Sequence, residues 1–257
     1  MVYTANTCIE YFIQIPIYLL ITTLARLSFH EMLFSTYYLK RRIPMKVIAV
    51  LNQKGGAGKT TVATHLARAF QLSGAEVLLV DSDPQGSARD WSAVRDDNPV
   101  TVVGIDRPTI ERDLKNLARK DYIIIDGAPQ AANLAVSAIK AADFILIPVQ
   151  PSPYDIWATS DLVDLVQQRI EMTDGKLQAA FVISRAIKGT KMSSEVGGAL
   201  EGYGLPVLET RITQRVIYPG SAAQGTTVLD EYPKGDAAME IYALAAEIKS
   251  FFDSAVE

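Results

Sequence analysis

Short apolar runs punctuate the chain from residue 47 to its C-terminal end. Each run is four to six residues long. Continuous runs of this kind fit strands that are buried on both faces of a sheet. They predict strands over residues 47–51, 77–80, 122–125, 144–149 and 180–183, and a short last strand near residues 207–210.

Between these runs, apolar residues recur at the spacing of an α-helix. In the first such segment, Val62, Leu66, Ala69 and Phe70 fall on one side. The pattern predicts helices over residues 59–72, 110–118, 131–141, 156–171, 192–203 and 235–253. Strands that alternate with helices indicate an α/β fold, in which one doubly wound, mostly parallel sheet carries helices on both faces over residues 45–257.

A glycine-rich turn joins the first predicted strand to the first predicted helix. Residues 54–61 read Lys-Gly-Gly-Ala-Gly-Lys-Thr-Thr, which departs from the phosphate-binding pattern G-x-x-x-x-G-K-[ST] because the first glycine is missing. Lys59 is expected to reach the β- and γ-phosphates, and Thr60 to place its hydroxyl on Mg²⁺. The N–H groups of the turn and of the helix N-terminus favour an anion. The candidate nucleotide-binding residues are therefore Gly55, Gly56, Ala57, Gly58, Lys59, Thr60 and Thr61. A turn that merely connects two elements would need neither the lysines nor the threonine pair.

Carboxylates follow two of the apolar runs. Asp81 and Asp83 come at the end of the second predicted strand, and Asp126 ends the third. Because the carboxyl ends of parallel strands line the ligand crevice, these side chains are expected to converge on the glycine-rich turn and to bind Mg²⁺ or a water. An isolated aspartate at a strand end is often a turn former, and that alternative applies to each of them separately.

The turn, the segment Val-Asp-Ser-Asp-Pro-Gln and the strand that ends in Asp-Gly together resemble the deviant Walker A ATPases, which have a P-loop NTPase fold. Within them the chain is similar to the ParA group, and Asn52-Gln53 and residues 148–157 resemble its short, ParF-like branch. The resemblance implies Mg²⁺-dependent ATP hydrolysis in a homodimer that encloses two ATP molecules. It also implies that Lys54 crosses into the partner's site, where a cation stabilises the charge of the transferring phosphoryl group.

The resemblance also suggests roles for other side chains. Asp83 would orient the attacking water or the metal shell, Asp81 would support the Mg²⁺ shell, and Asp126 would hold a metal-bound water. The proline-rich segment 148–157, with Pro151, would line an adenine pocket or a dimer surface, although a rigid connection into the next helix is the alternative. Arg185, after a predicted strand end, is a candidate nucleotide contact.

The charge distribution bears on DNA binding. The chain has a formal charge of −4. Residues 1–44 hold four basic and two acidic side chains, so residues 45–257 carry −6. Net charge therefore argues against a nucleic-acid binder. By resemblance, however, basic residues of the C-terminal half would bind DNA without sequence preference, and the candidates are Lys188, Lys191, Arg211 and Arg215. Ordinary solvated charge is the alternative.

The first 44 residues do not fit the rest of the chain. Residues 11–25 carry no charge, but Glu10 and Arg26 interrupt the run before it reaches the length of a membrane-spanning helix. Three interpretations compete: a mis-assigned start, with Met45 as the true first residue, a membrane-associated helix, or a soluble extension. Cys8 is the single cysteine, which excludes an internal disulfide and a cysteine metal site.

The function expected from the resemblance is a partition ATPase that segregates plasmid or chromosomal DNA in the cytoplasm, on the nucleoid. ATP would drive dimerisation, and DNA binding or self-assembly would follow. A small centromere-binding protein, ParB- or ParG-like, would stimulate hydrolysis. A MinD-like regulator on the membrane is the alternative, but the C-terminal helix has an acidic polar face, with Glu240 and Glu247, which anionic lipid repels. A metabolic ligase of the same fold is a third candidate, against which Lys54 argues.

Overall fold

One parallel sheet organises the chain. The structure, a computed structural model, describes residues 45–117, 119–189 and 191–254, without the side chains of residues 191–194 and 254. Within this part, seven strands lie in the order β3-β2-β4-β1-β5-β6-β7, and every neighbouring pair is parallel. The strands are β1 (Lys46–Val50), β2 (Val77–Asp81), β3 (Thr101–Gly104), β4 (Tyr122–Asp126), β5 (Phe144–Val149), β6 (Gln178–Ala186) and β7 (Val207–Thr213).

Helices connect the strands. In chain order they are α1 (Lys59–Leu72), α2 (Ser87–Ala93), α3 (Ile110–Leu114), α4 (Ala132–Ala141), α5 (Pro153–Trp157), α6 (Ser160–Met172), α7 (Lys191–Glu201), α8 (Ile217–Ala222), α9 (Val228–Glu231) and α10 (Asp236–Ser254). The predictions about residues 1–44 lie outside the described residues.

The core has two layers, one on each face of the sheet. Ile48 and Val50 of β1 point to one layer, whereas Val47, Ala49 and Leu51 point to the other. The first layer contains side chains of α1, α2, α8, α9 and α10, and the second contains side chains of α3 to α7. The central strands are continuous apolar runs because both of their faces are buried. If polar residues alternated with apolar ones, the polar side chains would lie in one of the two core layers.

The register of the central strands sets the position of the glycine-rich turn. Val50 at the end of β1 pairs with Asp126 at the end of β4, and Asp126 pairs with Asp81 at the end of β2. The turn follows β1 directly and leads into α1. The turn and the strand-end aspartates therefore lie at the same edge of the sheet, as predicted.

Several elements differ from the prediction. The strand β3 and the helices α2, α8 and α9 were not predicted. The helix predicted over residues 156–171 is two helices, α5 and α6, with Ala158 and Thr159 between them. The proline-rich segment 148–157 is divided between two elements: Pro148 lies in β5, and Pro153 begins α5, where proline's fixed φ suits the first helical turn.

The C-terminal helix α10 packs against the core, as predicted from its pattern. Its inward face is buried and includes Ile241, Leu244, Ile248 and Phe252. Among the described residues, no helix has the length and apolar character needed to cross a membrane.

Candidate functional site

A cleft of about 980 Å³ opens above the glycine-rich turn at the carboxyl edge of the sheet. The lining comes from the turn, from the β2–α2 loop, and from the ends of β6 and β7 together with the segments that follow them. Of the residues predicted to bind nucleotide, those on the cleft wall are Gly55, Gly56, Gly58, Lys59, Thr60, Thr61 and Arg185. Ala57 is buried behind the turn.

Protein donors hold the carbonyl groups of the turn. The Ser184 hydroxyl donates to the Ala57 carbonyl at 2.8 Å. Gln150 Nε2 and Arg185 Nη1 both donate to the Gly56 carbonyl, at 2.9 and 3.3 Å. These bonds draw the oxygen atoms of the turn towards the protein, which is the orientation that lets the peptide N–H groups face an anion.

The glycines of the turn border open space. A Cβ atom built on Gly55 or Gly56 would meet no atom within 4 Å, and Gly56 and Gly58 have φ values of +78° and +91°. Only glycine adopts this backbone readily, and the missing side chains leave the main chain accessible. The turn therefore fits a phosphate chain that approaches its backbone closely.

Lys59 brings a positive charge to the lining of the cleft. Its ammonium group donates to the Lys54 carbonyl at 3.1 Å, and its residue is buried. Burial lowers the pKa of Lys59, and the negative charges of Asp126 and Asp83 oppose this effect. A cation placed between two carboxylates and an anion-binding turn is suited to bridge phosphate oxygens.

Asp126 is a fully buried carboxylate next to this cation. Among the described residues, neither of its oxygens accepts a hydrogen bond of normal geometry. Burial raises the pKa of Asp126 to about 7, with the charges of Asp81 and Asp83 adding to the effect and Thr60 and Lys59 opposing it. A buried carboxylate without partners is costly unless a cation or an ordered water completes it. Asp126 therefore fits a place beside a hydrated Mg²⁺ ion.

The other two aspartates are arranged differently. Asp83 is partly exposed and lies on the cleft wall. Asp81 is buried, and its two oxygens accept the main-chain N–H groups of Asp83 and Arg89 at 3.0 and 2.9 Å. The structure thus gives Asp81 a role in shaping the β2–α2 loop, which is the turn-forming alternative considered for it.

Mg²⁺ would take few ligands from the protein at this site. Within residues 45–117, 119–189 and 191–254, no group of three His, Cys, Asp or Glu side chains is arranged to hold a metal ion. Mg²⁺ bound with nucleotide commonly keeps several waters and takes phosphate oxygens as ligands. The Thr60 hydroxyl and the Asp83 carboxylate on the wall, with Asp126 behind them, fit that mode of binding.

Lys54 and Pro151 lie outside the cleft wall. The Lys54 side chain is exposed, and among the described residues it makes no hydrogen bond or ion pair; its main-chain N–H donates to Asn52 Oδ1 at 2.8 Å. Asn52 in turn donates to the Pro148 carbonyl at 2.7 Å, which ties the turn to β5. Pro151 is not among the residues that line the cleft.

The basic residues predicted to bind DNA separate into groups. Lys188 and Arg215 line the nucleotide cleft, and both form ion pairs with Asp236, at 3.6 and 3.4 Å. Arg215 also pairs with Glu240 at 2.8 Å. Arg211 lies on β7 away from the cleft lining, and the side chain of Lys191 is outside the described residues.

Arg185 combines a functional position with a strained backbone. Its φ is +52°, in the left-handed region that few residues other than glycine adopt. Such conformations persist where the surrounding structure enforces them, and they cluster at binding sites. The result here is that the guanidinium group reaches the turn at Gly56.

Sequence reasoning missed the residues that position the turn. Gln150 and Ser184 donate to carbonyl groups of the turn that are 94 and 127 positions away in the chain. Asn52, next to the turn, donates to the Pro148 carbonyl, 96 positions away. No local pattern signals such contacts, although Asn52-Gln53 formed part of the family resemblance. Arg89 was missed for a different reason: the helix that carries it, α2, was not predicted from the sequence.

Comparisons with known proteins agree with this geometry. The family described as the CobQ/CobB/MinD/ParA nucleotide binding domain matches residues 48–228. The maintenance of carboxysome distribution protein A of Halothiobacillus neapolitanus is 34% identical over 209 residues, which are 78% of this chain and 95% of that protein. The chromosome-partitioning ATPase Soj of Thermus thermophilus is 26% identical over 240 residues, with 80% and 96% of the two chains covered.

A solved structure shows the same fold. The septum site-determining protein MinD of Pyrococcus horikoshii, complexed with Mg-ADP, superposes with a TM-score of 0.64 at 19% identity, over 79% of this chain and 96% of that one. The predicted sheet and the predicted class of nucleotide cofactor agree with these relatives. The chain is a P-loop ATPase that belongs to the CobQ/CobB/MinD/ParA nucleotide-binding domain family.

Proposed function

We propose that this protein is a ParA-type positioning ATPase that dimerises around ATP and Mg²⁺ and moves or segregates an intracellular cargo. The exposed Lys54 side chain carries this proposal. It projects from a turn whose other residues form a complete phosphate cradle, yet among the described residues it has no partner. A cation in that place suits a second copy of the chain, whose bound phosphates it would reach.

Within one subunit, the described residues divide the work of binding and orientation. The turn and Lys59 would bind the phosphate chain, and Thr60 would offer its hydroxyl to Mg²⁺, which supplies neutralisation of phosphate charge when bound. Asp83, on the wall, would orient a water, and Asp126 would accept a hydrogen bond from a water of the metal shell. Lys54 from the second subunit would stabilise the charge of the transferring phosphoryl group.

Because hydrolysis would need a second subunit, it would determine how long the dimer persists. ATP binding would bring two turns face to face, and hydrolysis would release the dimer. A partner carried by the cargo, a small ParB- or ParG-like protein by resemblance to the ParA group, would stimulate this step. The relatives named for carboxysome distribution and for chromosome partitioning support a positioning role with either a protein assembly or DNA as the cargo.

The binding of nucleoid DNA in the cytoplasm is proposed on narrower grounds. Because Lys188 and Arg215 line the nucleotide cleft and pair with acidic residues, they are poor candidates for phosphate contacts with DNA. For Arg211 and Lys191 the family resemblance is the sole support for a contact with DNA. Binding through so few cations would be weak and strongly dependent on salt.

Light scattering and ATP turnover of the full chain test the proposal. The protein is compared with ATP, with ADP and without nucleotide, together with the variants Lys54→Ala and Lys176→Ala. Lys176 is an exposed lysine just before β6, at the opposite edge of the sheet from the turn, and serves as the matched control. We expect an ATP-dependent dimer for the native protein and for Lys176→Ala.

For Lys54→Ala we expect ATP binding without turnover, since the phosphate cradle is intact and the cation supplied by the partner is lost. DNA retention at low and at high salt, measured on the same samples, then separates a DNA cargo from a protein cargo. Normal turnover by Lys54→Ala, or a monomer in the presence of ATP, would overturn the proposal.

A further inference from the structure

Arg89 contacts both Asp81, the last residue of β2, and Asp83, in the loop that follows. It is the third residue of α2 and lies in the first turn of that helix. Its main-chain N–H donates to Asp81 Oδ2 at 2.9 Å, and its guanidinium Nη2 donates to the Asp83 carbonyl at 3.0 Å. Its Nε lies 3.4 Å from Asp81 Oδ2, as an ion pair with this fully buried carboxylate.

Two glycines make room for the Arg89 side chain. A Cβ atom built on Gly104, at the end of β3, would lie 2.9 Å from Arg89 Nη1 and 3.0 Å from its Cδ. A Cβ on Gly86 would lie 3.2 Å from Arg89 Nε and Nη2. The guanidinium group therefore fills a space that any larger residue at these positions would close, and its planar fork suits simultaneous contact with Asp81 and Asp83.

These contacts hold the main chain of Asp83 on both sides. Its N–H donates to Asp81 Oδ1 at 3.0 Å, and its carbonyl accepts from Arg89 and from the N–H of Gly86, the latter at 2.9 Å. One side-chain oxygen of Asp83 accepts the N–H of Gln85 at 2.9 Å. The position of the Asp83 carboxylate on the cleft wall thus depends on the ring of contacts that Arg89 closes.

We infer that Arg89 is a positioning residue for Asp83, which fixes the Asp83 carboxylate beside the phosphate cradle without touching nucleotide. Arg89 is not on the cleft wall, whereas Asp83 is. The inference rests on the proposed ATP hydrolysis, because it assigns Arg89 to the geometry of that reaction. A displacement of about 1 Å in a reacting group can lower turnover by roughly 100-fold.

Five variants of the full chain test the inference. Arg89→Ala removes the clamp, and Arg89→Lys keeps the charge but not the fork. Gly104→Ala displaces the guanidinium without altering Arg89, at a glycine whose φ does not lie in the left-handed region. Arg95→Ala removes an arginine that pairs at the surface with Asp97, and Asp106→Asn removes the exposed partner of Arg89 at 3.5 Å. The last two are controls.

Two readouts are needed, one of them independent of ATP. Steady-state kinetics give kcat and KM for ATP, and amide hydrogen exchange of residues 81–91 without nucleotide reports the order of the loop. For Arg89→Ala we expect kcat to fall roughly 10- to 100-fold with KM within about threefold of the native value. Hydrogen exchange of the loop should accelerate, and Arg89→Lys and Gly104→Ala should fall between the native protein and Arg89→Ala.

Non-additivity provides the sharpest criterion. Because Gly104→Ala acts through Arg89, adding it to Arg89→Ala should produce no further loss of kcat. The controls should match the native protein in both readouts. The inference is overturned if Arg89→Ala keeps native kcat, if KM rises as much as kcat falls, or if the double variant loses the sum of both effects. An inactive native protein would instead overturn the proposed function, and the exchange measurement would still show whether Arg89 orders the loop.

Discussion

The Lys59 ammonium group donates a hydrogen bond of 3.1 Å to the main-chain carbonyl of Lys54. The two lysines of the turn are thus connected in one subunit, although their proposed targets lie in different subunits. Lys59 is buried and its pKa is lowered by burial, whereas the Lys54 side chain is exposed. Substitution of each lysine should therefore affect stability and binding differently.

Lys59→Met should abolish nucleotide binding without lowering the stability of the free protein. The buried charge of Lys59 is desolvated, so an apolar side chain of similar length replaces it at little cost. Native protein with ligand at about 100 times its Kd should gain about 2.7 kcal/mol of stability. Thermal unfolding with and without Mg-ATP measures both effects. Lys176→Met, as the control, should keep the full nucleotide-dependent shift of Tm; loss of Tm by Lys59→Met without nucleotide would contradict the argument.

A second prediction concerns His65 in α1. Its Nδ1 lies 2.6 Å from the Thr61 carbonyl, and its Nε2 lies 3.1 Å from the main-chain N–H of Val228. A carbonyl accepts and an N–H donates, so the neutral ring must carry its proton on Nδ1. Burial lowers the pKa of His65 to about 4, opposed by the hydrogen bond to Thr61 and by the charge of Asp230, which is paired with Arg68.

Because the folded-state pKa of His65 lies below its usual value of 6.5, the associated stability is complete above pH 6.5 and is lost as the pH falls towards 4. The full effect is about 3 kcal/mol by linkage. Denaturant unfolding should show that the free energy of unfolding of the native protein decreases between pH 7 and pH 5. The decrease should be smaller for His65→Gln, because glutamine does not titrate in this range. Equal slopes would mean that carboxylates alone produce the dependence.

The sequence specified the central part of the fold because burial on both faces leaves a clear signal. The strands β1, β2, β4 and β5 are continuous apolar runs, and the bounds of each were predicted within one residue. The strand β3 was missed because it lies at the sheet edge, where Thr101 and Gly104 are exposed. The helix α2 was missed because it buries few residues, Ala88 and Trp91, so it shows little periodicity.

The candidate site also has one part that the sequence predicts and one part that it does not. The glycine-rich turn is local in sequence, so its residues form a pattern that can be recognised without the fold. Contacts between distant segments carry no such signal. The placement of Lys188 and Arg215 in the cleft follows from the acidic residues of α10, which pair with both, and from the course of the chain after β6 and β7. Charge counting along the sequence could not have distinguished that placement from a DNA surface.

A third prediction concerns the exposed edge of the sheet. Glu247 of α10 accepts the main-chain N–H groups of Glu209 and Thr210 on β7, at 2.8 and 3.1 Å. Glu240 accepts the N–H and the hydroxyl of Thr213, at 3.0 and 2.8 Å. The acidic face that argued against a membrane helix is therefore used to cap an edge strand, which would otherwise present unpaired donors to other chains.

Replacing these carboxylates should weaken the fold unequally. Glu247→Ala should cost about 1 kcal/mol, since water can reach the freed N–H groups, whereas Glu240→Ala should cost about 2 kcal/mol, because it also leaves the partly buried Arg215 without that partner. Chemical denaturation measures both, and Glu171→Ala, at an exposed position near the end of α6, is the control. Glu240→Ala should also aggregate more readily on standing. A loss no greater than that of Glu171→Ala would contradict the capping role.

The last prediction contrasts two glycines. A Cβ atom on Gly127, which follows Asp126, would lie 2.8 Å from the Val50 carbonyl and would overlap Leu51 Cδ2. The main chain of β1 cannot yield without moving the phosphate cradle that follows it. Gly127→Ala should therefore cost about 1–3 kcal/mol and should weaken nucleotide binding as well.

Gly197 in α7 is the matched case, because a Cβ there would meet no atom within 4 Å. Gly197→Ala should stabilise the protein by up to about 1 kcal/mol, through the higher helix propensity of alanine, and should leave nucleotide affinity unchanged. Thermal unfolding and nucleotide titration of the two variants side by side check both statements. Equal stability of the two variants would show that β1 and the Asp126-Gly127 segment are not packed as tightly as the structure indicates, because a single added methyl group separates the two cases.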